Sequence, residues 1–170
     1  MDVTEFTACA MGRWHIIARD PSGKVIWRDD FSNLVVNEGL DELLIQALAG
    51  GTQTTTWYLG LATSTPSPAA GDTMGSHTGW TEQTGYDEAA RQTWNHGTVS
   101  GQSVDNSGST AIFTISADST TIGGAFLTSD STKGGTAGKL YSAGAFSSGD
   151  ITLSAGSTLE VAFTAATAAA

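Results

Sequence analysis

The residues in this chain that could do chemistry are few and scattered. His15, His77 and His96 are its only histidines. No His-x-His, HExxH or His-x3-His spacing occurs, so a metal site would have to be assembled from distant segments. Asp72, Glu82, Asp87 and Glu88 bracket a loop-like stretch. A pair of carboxylates held at a fixed separation in an aromatic-lined cleft could cleave a glycoside, and Trp80, Tyr86 and Trp94 are close in sequence. Solvated loop acids are the commoner origin of such a cluster. Cys9 is the single cysteine. It has no internal disulfide partner and no flanking base to activate it, so a small buried apolar role is expected. The segment Lys133-Gly-Gly-Thr-Ala-Gly-Lys-Leu140 has the glycine content of a phosphate loop, but Lys133 and Leu140 occupy positions that need Gly and Ser or Thr. It is expected to be a flexible hairpin loop. Trp57, Trp80, Tyr86 and Trp94 could form a sugar-stacking surface, although aromatics of this kind usually fill thin β cores. The expectation is therefore no catalytic residue, no metal and no cofactor.

The elements that would position these groups follow from patterning. Leu40, Leu43, Leu44, Ala47 and Leu48 recur at helical spacing, which predicts one short amphipathic helix with its leucine face docked inward. Asn37 is the expected N-cap, Glu38, Asp41 and Glu42 suit the positive end of the helix dipole, and Gly50 and Gly51 stop the helix. Before it, residues 13–19 and 24–30 are β-like and are joined by Asp20-Pro21-Ser22-Gly23, a turn sequence, which predicts a β-hairpin. A hairpin is marginal by itself, so Trp14, Ile16, Val25 and Trp27 must pack on the helix, the main domain or another chain. Residues 63–85, punctuated by Pro66, Pro68 and several glycines, read as a long functional or interface loop. Beyond it, alternating runs such as Leu159, Val161 and Phe163 against Thr158, Glu160 and Ala162 mark half-buried strands.

Composition agrees with this reading. Of the 170 residues only 14% are charged and 39% hydrophobic, with 21 glycines, a mixture that suits an all-β chain with many tight turns. The fold expected is mainly β: a jelly-roll-like antiparallel β-sandwich of about eight strands, with an N-terminal β-hairpin and one short amphipathic helix. The expected division is 1–51 for hairpin arm and helix, 52–164 for the sandwich and 165–170 for a frayed tail. The formal net charge is −10 with seven basic residues, which disfavours direct nucleic-acid binding. Arg13, Arg19, Lys24 and Arg28 lie in the N-terminal arm. No apolar run is long enough for a membrane span and no signal-peptide pattern opens the chain, so cytoplasmic synthesis is expected.

Several segments together carry a resemblance. They are Gly23-Lys-Val-Ile-Trp27, Asn33-Leu-Val-Val-Asn-Glu-Gly-Leu40, Leu43-Leu44, Trp57-Tyr-Leu-Gly-Leu61 and Ala70-Gly-Asp-Thr-Met74. They continue with His77-Thr-Gly-Trp-Thr-Glu82, Tyr86-Asp-Glu-Ala89, Arg91, Gly124-Ala-Phe-Leu127, Ser131-Thr-Lys-Gly-Gly-Thr136 and Leu140-Tyr-Ser-Ala-Gly-Ala-Phe146. From about residue 23 onward the chain resembles a family of small structural proteins of tailed bacteriophages and prophages. These are loosely called tail-fibre proteins and are similar to capsid cement, or decoration, proteins with a jelly-roll domain. The resemblance implies a virion protein on the capsid exterior, made in the host cytoplasm, with the major capsid protein as partner and a homo-oligomer (dimer or trimer) as its state. It supplies no catalytic residue. The expected interface is Trp14, Ile16, Val25, Trp27, Arg28 and Trp80. The alternative is a tail-fibre or receptor-binding component with a carbohydrate-facing loop at 63–85.

Overall fold

The N-terminal hairpin forms as the turn chemistry dictates. In a computed structural model that describes residues 9–168, β1 (Cys9–Arg19) and β2 (Val25–Ser32) pair antiparallel. Asp20 accepts hydrogen bonds from the backbone N–H of Ser22 (2.9 Å) and Lys24 (3.0 Å), and Gly23 supplies the left-handed φ of 87° that closes the turn. The chain then runs through β3 (Leu34–Val35), α1 (Asn37–Ala47), β4 (Tyr58–Ala62), β5 (Glu82–Gln83) and β6 (Gln92–Thr93). It continues as β7 (Ser103–Asp105), β8 (Ala111–Thr114), β9 (Thr120–Ile122) and β10 (Gly124–Thr128). It ends with β11 (Leu140–Ala145), β12 (Ile151–Leu153) and β13 (Thr158–Ala168). The molecule is mainly β, with one helix among the described residues.

Every strand pairing among the described residues is antiparallel. A five-stranded sheet has the order β2-β1-β13-β7, with β8 also beside β13. A six-stranded sheet has the order β3-β11-β10-β4-β5, with β6 also beside β4. A two-stranded ribbon pairs β12 with β9. Trp14, Ile16, Leu159, Val161 and Phe163 from the first sheet and Leu59, Leu61, Ala125, Leu127 and Tyr141 from the second share one buried cluster. A smaller cluster of Val36, Ala62, Met74, Trp80, Phe126, Leu140 and Ala143 lies on the other side of the six-stranded sheet.

Four expectations about strands and loops are corrected. First, the hairpin is no separable arm. β1 pairs with β13 along its whole length, Cys9 to Ala168 through Arg19 to Thr158, and so lies inside the sheet. Its even-numbered side chains Trp14, Ile16 and Ala18 are fully buried. Second, residues 165–168 are not a frayed tail. They continue β13 and pair with residues 9–12, because backbone pairing to β1 orders a stretch whose side chains carry no pattern. Third, there are more and shorter strands than the eight expected. Residues 121–127 split into β9 and β10 around Gly123, and of residues 86–94 only Gln92–Thr93 is strand. Fourth, the loop at 133–140 is clamped: the Lys133 ammonium donates to the carbonyls of Tyr86 (2.9 Å) and Glu88 (2.6 Å) and lies over the Tyr86 ring. The expectations for the Cys9 side chain and for Ala169 and Ala170 fall outside the described residues.

The helix corrects the sequence reading most sharply, because it faces the other way. Gly39 and Glu42 are its buried residues, whereas Leu40, Leu43, Leu44 and Leu48 are exposed. Two contacts impose this. Gly39 lies so close to the Tyr141 carbonyl on β11 that a Cβ would overlap it. Beside it the Glu42 carboxylate accepts from the Lys139 ammonium, from Gln46 Nε2 (2.6 Å) and from Thr54 Oγ1 (2.5 Å). Glu38 adds a third tie by accepting from the Leu140 N–H at 2.7 Å. Asn37 is the first helical residue rather than the cap. Val36 is the extended capping residue, without a side-chain cap bond, and the Asn37 N–H donates to the Ala70 carbonyl at 2.8 Å. Past the C-terminus Gly50 takes a φ of 68°, and the N–H groups of Ala49 and Gly51 reach back to the Leu44 and Ile45 carbonyls.

Candidate interaction surfaces

Most of the carboxylates and histidines that the sequence singles out are engaged in holding loops. Arg91, fully buried, donates from Nε and Nη2 to both oxygens of Glu82 (3.0 and 2.7 Å) and from Nη1 and Nη2 to the carbonyls of Asp130 (2.9 Å) and Gly135 (2.6 Å). Its guanidinium also lies over the Phe126 ring at 5.3 Å. All this fits a planar, multiply bonded cross-link between segments distant in sequence. Glu88 accepts the Thr114 N–H on both oxygens, each at 3.1 Å. Asp72 accepts from the Ala69 N–H (3.0 Å) and from Trp80 Nε1 (3.2 Å). Asp87 is exposed. Each histidine has its own local partner: His15 with Asp30 at 3.1 Å, His77 with the Trp80 carbonyl at 3.0 Å, and His96 with the Gly97 carbonyl at 2.8 Å. Among the described residues no group of three or more His, Cys, Asp or Glu side chains is placed to hold a metal ion. No helix among them is long and apolar enough to cross a membrane.

The aromatics are core. Trp80, Tyr86 and Trp94 are buried, and Trp57 is half-buried against Tyr141. Trp80 packs against Phe126 at 4.9 Å, with the His77 ring stacked on its other face at 3.8 Å. The stretch 63–85 is therefore pinned to the six-stranded sheet by Met74 and Trp80, and Asp72 ties it together internally.

Of the six residues expected at an interface, Trp14, Ile16 and Trp80 are buried within the chain itself. Val25 and Trp27 are half-buried. Trp27 packs on Phe146 and donates to Ser148 Oγ at 3.2 Å. Arg28 alone is exposed. The period-2 alternation explains the division, since β1 and β2 send Trp14, Ile16, Trp27 and Phe31 inward and Arg13, His15, Ile26, Arg28 and Asp30 outward.

Two apolar surfaces stand out among the described residues. One is the outer face of the five-stranded sheet. Cross-strand register places Arg28, Ile17, Glu160 and Ile112 in one row, with Ile26 and Ile112 about half exposed. Arg19 pairs with Glu160 at 2.7 Å on this face. The second surface is the apolar side of α1, which periodicity located but assigned to the interior. Two buried carboxylates fix the elements around these surfaces. Burial favours the neutral acid at Glu42, but hydrogen bonds from Lys139, Thr54 and Gln46 outweigh it and hold the carboxyl below its ordinary value. At Asp29 burial is likewise outweighed, here by the hydroxyl and N–H groups of Ser147 and Ser148, and its carboxyl is also lowered. Asp29 thereby ties β2 to the turn after β11.

No protein-family model, curated protein or solved structure matches the chain.

Proposed function

We propose that this chain is a non-enzymatic bacteriophage virion protein that decorates the capsid exterior in many copies and stabilises it by bridging neighbouring subunits of the major capsid protein. The sequence resemblance is the source of this reading. The observation that carries it is the outer face of the five-stranded sheet, a broad surface mixing exposed Ile26 and Ile112 with Arg13 and Arg28 and supported beneath by the main core. Arg13 and Arg19 are met on this face by Asp30 and Glu160, so the face is polar and mixed in charge, with the exposed Arg28 suited to an acidic group on the shell. Modest binding per copy suffices when many copies act on one shell. The same reading takes the two sheets sharing one core as a β-sandwich with jelly-roll-like pairing of first strand to last, copies associating as a dimer or trimer, and synthesis in the host cytoplasm.

The alternative tail-fibre role, with a carbohydrate-facing loop at 63–85, needs an exposed aromatic there. Trp80, its natural candidate, is 5% exposed. The test is to add the purified chain to shells assembled without it and to measure occupancy after sedimentation. Saturable binding in many copies per shell, weakened by Arg28→Glu and Ile112→Glu, is the expected result. Absence of binding to any shell would refute the proposal.

A further inference from the structure

The described residues expose nine large apolar side chains, and four of them belong to α1 and its C-terminal cap: Leu40 (39%), Leu43 (37%), Leu44 (56%) and Leu48 (82%). Val99, 73% exposed, stands nearby, since it and Leu43 line the same hollow together with Val104, Tyr141 and Ala165. A second hollow adjoins it across Leu43 and opens onto Trp57, Trp94 and Leu127. Monomeric proteins rarely leave contiguous apolar surface of this kind uncovered.

Charge identifies the occupant. The chain carries a net charge of −10, so two copies repel each other over most of their surface. This end of the molecule is the exception. Residues 43–71, 92–104 and 161–168, which supply α1 beyond its first half, the Val99 turn and the end of β13, contain no Asp, Glu, Lys or Arg. Glu42, the one acid lining the second hollow, is buried and paired with Lys139, while Glu38 and Asp41 line a different hollow beside Gly71 and Thr73. A basic partner would gain little from so neutral a patch. A two-fold contact needs a patch that complements itself, and an uncharged apolar patch does so without bringing carboxylate against carboxylate.

We propose that a second copy of this chain covers this end, in a two-fold interface built on Leu44, Leu48 and Val99. The inference rests on the oligomer part of the shell reading. Its test is made without any shell, so its failure is distinct from a failure to bind particles.

The test is sedimentation velocity on the purified full chain from about 1 to about 200 µM, a range wide enough to resolve a mass-action equilibrium. The 17.4 kDa monomer is expected at the dilute end and twice that mass at the concentrated end. Added salt should leave the association unchanged or strengthen it, because screening relieves the repulsion between two acidic bodies. Leu48→Glu and Val99→Glu should each raise the dissociation constant by at least about tenfold. Both positions are exposed, so the dilute-end melting temperature should not move, and Arg28→Glu on the sheet face should leave the dimer intact. A wild-type chain that stays monomeric throughout, or a dimer indifferent to both glutamate variants, would overturn the proposal. A trimer or an open polymer would overturn the two-fold arrangement.

Discussion

Replacing Glu42 by alanine, side by side with Leu44→Ala, measures which face of α1 holds the helix down. Glu42 is 1% exposed and accepts three hydrogen bonds, one of them from an ammonium. Hydrogen bonds to a charged group are each worth about 1.5–3 kcal/mol net, and breaking a buried ion pair costs about 3–5 kcal/mol when the surviving charge is stranded. Here the survivor is not stranded, because the Lys139 side chain is 40% exposed and can return to water. The expected loss is therefore about 2–4 kcal/mol. A fully buried leucine would lose about 2–5 kcal/mol on truncation, cavity term included. Leu44 has 56% of its surface in solvent and can leave no closed cavity. Less than half of the roughly 1.5–3 kcal/mol for burying such a side chain remains, or about 1 kcal/mol, and alanine's helix propensity returns a few tenths. Urea unfolding at neutral pH and micromolar protein is the assay, compared at constant m-value. If Leu44→Ala costs more than Glu42→Ala under those conditions, the leucine face is inward and the inverted helix is wrong. Repeated at the concentrated end, the Leu44→Ala penalty should grow, because dimerisation stabilises the folded wild type by mass action.

Arg91→Met should cost about 3–5 kcal/mol in the same assay, since it leaves Glu82 charged and nearly buried, and adding Glu82→Gln should recover part of that loss. Stability should also fall as the solution is acidified. The carboxyls of Asp29 and Glu42 are lowered from ordinary values of 3.8 and 4.5, so their contribution is full above those values and is lost as pH falls through the lower folded-state values. Thermal melts across that range should show a shallower decline for Asp29→Asn than for wild type. An equal slope would mean that Asp29 is not held ionised by its serine partners.

Local chemistry was legible in the sequence, and orientation was not. The turn at residues 20–23 formed because Asp20, Pro21 and Gly23 act within the turn itself. The alternation of Leu159, Val161 and Phe163 correctly located the buried side of β13. The helix was found at its true position but rotated, because leucines at helical spacing identify an apolar face without saying whether the interior or another molecule covers it. What rotates it is a contact between Glu42 and Lys139, 97 residues apart, and a close approach of Gly39 to Tyr141. The first of these leaves no local signature. The arm was misjudged for a similar reason: Trp14 and Ile16 found their partners on β13, at the far end of the chain. Glycine was the available signal for the helix, since Gly39 inside a helical pattern costs stability unless something must come close.

The pairing of β1 with β13 has a consequence for how the molecule comes into being. During synthesis β1 waits for β13, because the register from Cys9 with Ala168 to Arg19 with Thr158 joins the two ends of the described residues. Until β13 emerges, Trp14 and Ile16 have only the β2 side of their sheet, and a two-stranded ribbon does not hold by itself. Contacts so distant in sequence carry a large loop-closure cost before they return any stabilisation, which makes folding slow. The β1–β2 ribbon therefore lacks its other sheet neighbour while residues 33–157 are made, and the five-stranded sheet is complete only once β13 is present.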